Sequence, residues 1–465
     1  MHDYSRRLKR ACSGLGALLA ASLFPPAISA QADDAELWQR EKLTGDWGGL
    51  RTALANKGVE VDVNYIGETF GVLTGGLRRG ATYEGWLRAT VEIDLEKLSG
   101  WTGGKMHVTA FHIHNGGRNA ADLVGSLSDP SNIDALATTR LFTAWFHQDF
   151  GKSGSLRIGQ LAADSEFVVS DTAGVLINGT FGWANIMSAN LPSGGPAYPL
   201  ATPGVRLQVN PSETVSLLAA VFSGDPAGKG CYAVDPDANP QACNRHGTTF
   251  SLHGGAFAIA EAQYQVNQDK DAKRPAAAYK IGAWYHTADF ADQRYGVNAA
   301  GAVVSLATLP DNPLNHSGNW GIYGVINQTV WRDGARKASA FLRGGIAPSD
   351  RNLVSWYVDG GMAFKGLIPG RVEDIVGFGV AHSKISRNAA ALDQDTLALN
   401  GPPYPLRNAE TVIELNYTAK IAPWWWVQPD LQYIIHPGGN VPHPNDPTRK
   451  VQDALLIGAR STISF

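Results

Sequence analysis

The sequence is short of several things, and each shortage excludes a class. Cysteine is almost absent, at 3 in 465 residues, so neither a disulfide-dense scaffold nor a cysteine-based zinc module is available. Charge is sparse: 17% of residues against roughly 25% in ordinary soluble chains. Neither sign dominates. With 39 basic and 42 acidic residues the formal charge is −3, which lacks the basic excess a nucleic-acid binder needs to neutralise phosphates. Long apolar runs are missing beyond the N-terminus, where nothing approaches the ~20 residues of a membrane helix. No Gly-x-Ser-x-Gly elbow occurs, so scattered Ser, His and Asp residues point to no hydrolase. Aromatics and glycine are plentiful, with 13 Trp, 14 Tyr, 16 Phe and 52 Gly; a disordered chain would be poor in aromatics. Length alone would suggest roughly three domains, a rule that large barrels break.

Residues 1–32 read as a secretory signal. Arg6, Arg7, Lys9 and Arg10 form its positive start, Leu15 to Phe24 its apolar stretch, and cleavage after Ala30 or Ala32 fits the small residues there. The competing reading is a buried N-terminal helix. Cys12 leaves with the signal. Export places the remaining pair, Cys231 and Cys243, in an oxidising compartment, where a disulfide is expected. Residues 33–58 read as a small N-terminal helical segment, a plug or strut. Asp46 can cap a helix through Trp47, Leu50, Leu54 and Lys57, ending at Gly58.

Beyond Gly58 the period is two. Ile463, Ser461, Ala459, Ile457 and Leu455 alternate with Ser464, Thr462, Arg460, Gly458 and Leu456. Leu87, Ala89, Val91, Ile93 and Leu95 alternate with Trp86, Arg88, Thr90, Glu92 and Asp94. Such a pattern is a half-buried strand. Three features favour a membrane barrel over a soluble sandwich. The strands are long, about ten to thirteen residues. Aromatics such as Trp424, Trp425 and Trp426 sit at strand ends. Short connections (Gly151 to Gly154, Asn210 to Glu213, Arg332 to Lys337) alternate with long ones (Gly159 to Gly204, Ser223 to Thr248, Thr287 to Trp320, Ser383 to Asn408).

Sixteen strands are counted, starting near Val59, Tyr83, Lys105, Leu141, Ser155, Val205, Val215 and Ala256, then Ala277, Gly321, Ser339, Val354, Ile375, Ala409, Val427 and Gln452. The expected fold is all-β: a transmembrane antiparallel β-barrel over 59–465 with a short N-terminal helix. Sixteen strands leave an aqueous lumen, and closure removes the free edges that lipid forbids.

A resemblance then becomes specific. The run from Leu43 to Arg51, reading Leu-Thr-Gly-Asp-Trp-Gly-Gly-Leu-Arg, is similar to the N-terminal signature of the OprB-type carbohydrate-selective porins. Leu156 to Gln160, Ala163 to Phe167, Asn178 to Trp183, Gly194 to Pro199, Gly204 to Arg206, Gly224 to Pro226 and Asn244 to Gly247 resemble that family too. So do Glu410 to Tyr417, Trp426 to Tyr433 and His436 to Gly438. The matches run in order along the mature chain. They imply a Gram-negative outer-membrane porin passing monosaccharides such as glucose by facilitated diffusion, without a cofactor or metal. The partners implied are carbohydrate solutes, outer-membrane lipid, and the assembly machinery that reads the terminal Phe465. A homo-oligomer and a monomer both remain open. The loop from Gly224 to Gly247, with its cysteine pair, departs from the family pattern.

A sugar needs hydrogen bonds for its hydroxyls and an aromatic surface for its C–H face, and a pore must hold it weakly. Gln160 to Pro203 is the candidate constriction, expected to fold inward. It carries Asp164, Glu166, Asp171, Asn178, Trp183, Asn185, Asn190 and Tyr198. The competing reading is an outward loop at the rim. Arg88, Glu92, Arg157 and Arg206 are expected on the opposing wall, where facing rows of charge orient dipolar solutes; the plainer reading is that they only wet it. His112 and His114 lack a third ligand at suitable spacing, so no metal is expected. Paired acids such as Asp164 and Glu166 would also suit glycoside cleavage. The alternatives to a selective channel are therefore a general sieve and a barrel hydrolase.

Overall fold

The computed structural model describes residues 37–232, 239–268 and 274–465. The expected signal segment, Cys12, and the first residues of the 33–58 segment lie outside them.

Sixteen wall strands, labelled here β1 to β16, carry the period-two pattern. The first eight are β1 Val59–Gly76, β2 Gly80–Asp94, β3 Gly104–Asn115, β4 Thr138–Asp149, β5 Gly154–Leu161, β6 Thr202–Val209, β7 Val215–Ser223 and β8 Ala256–Val266. The others are β9 Ala277–Val297, β10 Pro313–Asp333, β11 Arg336–Ile346, β12 Val354–Lys365, β13 Ile375–Ile385, β14 Ala409–Ala422, β15 Trp425–Ile435 and β16 Gln452–Ser464. Each pairs antiparallel with the next, and β16 returns to β1. Tyr65 thus faces Leu87 on one side and Ile463 on the other. The closed antiparallel barrel expected from the sequence is what forms, and every strand finds two partners.

The two wall faces differ as the pattern requires. Ile158, Leu207, Ile281, Ile322, Leu342, Phe378, Leu415, Leu431 and Ile457 point outward and are exposed. Aromatics ring this band at both ends: Tyr83, Trp320, Trp356 and Tyr433 toward the long loops, and Trp101, Phe150, Tyr264, Tyr279 and Trp331 toward the short turns. Trp424 departs from the expected girdle. It is buried against Trp38, ring centroids 5.8 Å apart, because the N-terminal segment covers it.

That segment crosses the seam at the turn end. Leu43 N–H donates to Ser464 O at 2.8 Å, Arg51 to Phe465 O at 2.9 Å, and Phe465 N–H to Val63 O at 2.9 Å. Asp46 does not take the N-cap position expected of it, which Gly49 holds; its Oδ1 instead accepts from Thr52 N–H in the first turn of the helix Leu50–Asn56, at 2.9 Å. Gly58, at φ +82°, then turns the chain into β1; a Cβ there would meet Asp94 O at 2.6 Å.

One long connection is shorter than expected. Strands β9 and β10 each run 21 residues, so the presumed loop from Thr287 to Trp320 is mostly a projecting hairpin. Its polar upper part is held by tertiary contact: Arg294 Nε donates to Asp395 Oδ2 at 2.9 Å, from the helix Arg387–Asn400. The apolar core lies within the lumen. There Leu123, Phe167, Ile177, Phe181 and Met187 of two loops pack on wall residues Phe70, Phe257, Phe341, Ile434 and Leu456.

Candidate pore constriction

The loop between β5 and β6, residues 162–201, turns inward and crosses to the opposite wall. A chain in that position must find partners for its backbone N–H groups, and wall side chains supply them. Glu261 on β8 accepts from Val168 N–H at 3.0 Å. Glu414 on β14 accepts from Ile177 N–H at 2.6 Å and Asn178 N–H at 2.9 Å. Arg343 on β11 donates to Val168 O at 2.9 Å and Thr180 O at 3.0 Å, while its charge is met by the buried Asp359.

A second loop, 116–137, also enters, although it carried no signal among the long connections read from the sequence. Glu84 accepts from Ala120 N–H at 2.6 Å; Glu410 accepts from Leu127 and Ser128 N–H at 2.7 and 3.0 Å. The two loops join through Gly179 N–H to Asp129 O and Asn132 N–H to Ile177 O, both 2.8 Å. Arg140 ties in a third, donating to Pro199 O at 3.1 Å and Asn244 O at 2.8 Å. In that third loop Cys231 and Cys243 are bonded, with Cα atoms 5.6 Å apart.

A cavity of about 560 Å³ lies between these loops, lined by Asp134, Asp164, Trp183, Asn185, Tyr198 and Gln241 among others. Trp183 Nε1 donates to Gly194 O at 2.9 Å and Tyr198 O–H to Ile133 O at 2.8 Å, so both rings are fixed. Asp164 accepts from Tyr198 N–H at 2.7 Å; burial pushes its carboxyl up to about 6.

Glu92, Arg157 and Arg206, expected on the wall opposing the loop, lie instead beside its root, in a row with aromatic rings. Register brings Glu92, His107 and Trp145 side by side on β2, β3 and β4, and sets Arg157 opposite Arg206 on β5 and β6. His107 stacks on Trp145 at 4.4 Å, and the Arg157 guanidinium lies 4.0 Å over the same indole. Two arginines directly opposed across strands would repel. Glu166, from the loop, lies between them: Arg157 Nη1 to Oε1 is 2.9 Å, Arg206 Nε to Oε2 2.7 Å and Arg206 Nη2 to Oε1 2.9 Å. Arg206 also donates to Ser155 Oγ at 2.6 Å. Desolvated Arg–carboxylate bonds of this kind are the strong ones.

The candidate residues thus divide. Glu92, Arg157, Glu166 and Arg206 share the wall row; Asp164, Trp183, Tyr198 and Asn185 share the cavity. Arg88 reaches Asp62 at 3.2 Å and stands 5.6 Å over Trp86. Asn178 is fully buried, its Nδ2 on Gln432 Oε1 at 3.0 Å, and anchors the loop tip. Asn190 clamps Val354 O and N–H at 2.7 and 3.0 Å. Asp171 is exposed and lies in neither group. His112 and His114 are taken up by Thr139 at 2.8 Å and Tyr65 at 3.2 Å. Sequence reasoning passed over Trp145, His107, Arg140 and Arg343. The first two lay within period-two strands but on no charged motif; the arginines had no local partner to mark them.

A closed sixteen-strand wall, apolar outside, lined within by buried charged and polar groups beside the apolar core, and narrowed by inward loops, defines a β-barrel channel of the outer-membrane type. Comparison with known proteins goes further. The description "carbohydrate-selective porin, OprB family" matches residues 78–465, and the chain belongs to that family. Its function is accordingly that of an outer-membrane carbohydrate porin. It is similar to Porin B of Pseudomonas aeruginosa, 25% identical over 99% of both chains. It is also similar to the putative porin QuiX of Acinetobacter baylyi, 25% identical over 92% of this chain and 95% of that one. Among solved structures, the high-pH structure of Pseudomonas putida OprB covers 92% of this chain and 99% of its own, with a TM-score of 0.79 at 24% identity.

Proposed function

We propose that the channel passes monosaccharides such as glucose down their gradient, and that sugar selectivity resides at the wall row. The observation that carries this is Glu166 bridging Arg157 and Arg206 beside the Trp145 indole. Carboxylate and guanidinium groups offer acceptors and donors for hydroxyls, the edge of the indole held between His107 and Arg157 offers an apolar contact, and the Arg–Glu bridge keeps net charge low. Binding there is weak enough to release the solute. The cavity residues Asp164, Trp183 and Tyr198 form the approach, and Arg88 lines the wall beyond. In this reading residues 1–32 direct export, the 33–58 segment and short turns face the periplasm, and the long loops face outward. The barrel acts as a channel and not as a glycosidase.

Planar-bilayer recording with glucose titration is the test. Glucose is expected to reduce ion current saturably, and Trp145→Ala to weaken that block about five- to tenfold with the open barrel intact. If sugars, amino acids and anions cross at rates ordered by size alone, the channel is a general sieve and the proposal fails. Release of free sugar from an aryl glycoside by the purified barrel would favour the hydrolase.

A further inference from the structure

The shortest connection at the loop end is Leu77–Arg79, between β1 and β2. Its inner side is fastened to the helix Ala121–Val124, with Leu77 N–H and Arg78 N–H both donating to Leu123 O at 2.9 and 3.1 Å. Its outer side forms a depression of about 460 Å³ with the top of β1, the start of β16 and the strand Asp446–Lys450. Three cations line it, Arg78, Arg79 and Lys450, against one carboxylate, Asp453. Both arginines are exposed. Asp453 is already engaged, accepting His436 N–H at 2.8 Å, and Lys450 Nζ leans on Asn440 Oδ1 at 3.2 Å. His443 Nε2 meets Leu77 O at 3.2 Å, so the basic strand is held to the hairpin.

Height and direction decide what such a site meets. Asp453 shares a strand face with Leu455 and with Ile457, which is exposed on the apolar band. Tyr83 of the loop-side girdle and the exposed Leu73 lie close by in the same hairpin. The depression therefore stands directly above the lipid-facing column, at headgroup level, where the low hairpin leaves the wall uncovered. Guanidinium pairs at that depth suit phosphate through forked hydrogen bonds.

We propose that Arg78, Arg79 and Lys450 bind the phosphorylated headgroup of a glycolipid in the outer leaflet. This rests on the outer-membrane reading above and adds a specific lipid contact to it. Anionic lipid gains roughly 1 kcal/mol per cation near a membrane surface, so removing two cations should weaken binding about thirtyfold.

The purified full-length barrel would be titrated with bis-phosphorylated lipid A, its dephosphorylated form and inorganic phosphate, with retention read by native mass spectrometry. Wild type is expected to keep the phosphorylated lipid preferentially, and Arg78→Ala/Arg79→Ala to lose about thirtyfold in that retention while the dephosphorylated form is unaffected. Equal retention of both lipids, or an unchanged double variant, overturns the proposal. Inorganic phosphate held as tightly by the same residues would make the site a free-anion site, and also overturns it. Bilayer conductance of the same preparations separates the two readings, because a silent barrel would sink the channel whatever the lipid result.

Discussion

The wall and the two loops that fill it obey different rules. Along β16 or β14, each residue faces lipid or lumen by parity alone, and neighbours in sequence fix the outcome. In residues 116–137 and 162–201 no period exists. Position there comes from side chains far away in sequence: Glu410 holds Leu127 across a separation of 283 residues, and Glu414 holds Ile177 across 237. The wall is stable because no edge is free. The loops are stable because wall carboxylates replace water at their N–H groups, and their apolar side chains then pack on the inner wall. A barrel can therefore lose its constriction without losing its fold.

The sharpest test of that contrast is Glu414→Ala. It orphans two buried N–H groups, at about 1–3 kcal/mol each, and frees the loop tip at Asn178. Single-channel conductance is expected to rise severalfold and glucose block to vanish, while heat-modifiable gel mobility stays that of a folded barrel. Loss of that mobility would show that wall and loop are not separable.

The converse change is Leu342→Arg, on the exposed face of β11. A cation at mid-height on the lipid face costs about 2–4 kcal/mol. The urea midpoint for barrel unfolding in lipid should fall, with the glucose block of the surviving folded fraction unchanged.

A smaller effect is expected of Glu166→Gln. Arg157 and Arg206 then face one another without a bridging charge, so reversal potentials in a salt gradient should shift toward anion preference, with conductance changed less than twofold. No shift would mean that the row is screened from the pore.

The smallest effect comes from Asp164. Burial holds its carboxyl up to about 6, above the usual 3.8. Between those values the folded loop keeps a proton that the unfolded chain has released. Loop stability therefore falls as pH rises through that window, and the negative charge appears only above it. Cation preference should be lower at pH 5 than at pH 7.5, and Asp164→Asn should abolish the difference.

The wall was readable in detail. Strands were expected at Val59, Val215, Ala256, Ala277, Val354, Ile375, Ala409 and Gln452, and begin there. Errors gathered where parity stops being informative. The upper halves of β9 and β10 mix polar and apolar residues on both faces and read as loop, yet pairing and the Arg294–Asp395 bond extend them. Within the candidate site, Glu166 was legible as a lumen acid, but not as the ion between two arginines. That role depends on the register of β5 with β6, which places Arg157 opposite Arg206.

By itself the sequence determined the alternation of greasy and wet faces, hence a cylinder of sixteen strands and its orientation to lipid. That follows from a short-range rule: each residue's side is set by its neighbours. Which loop enters the lumen, which carboxylate receives it, and which arginine meets which acid were decided only in three dimensions, because closing the barrel brings together groups that no local pattern in the chain connects.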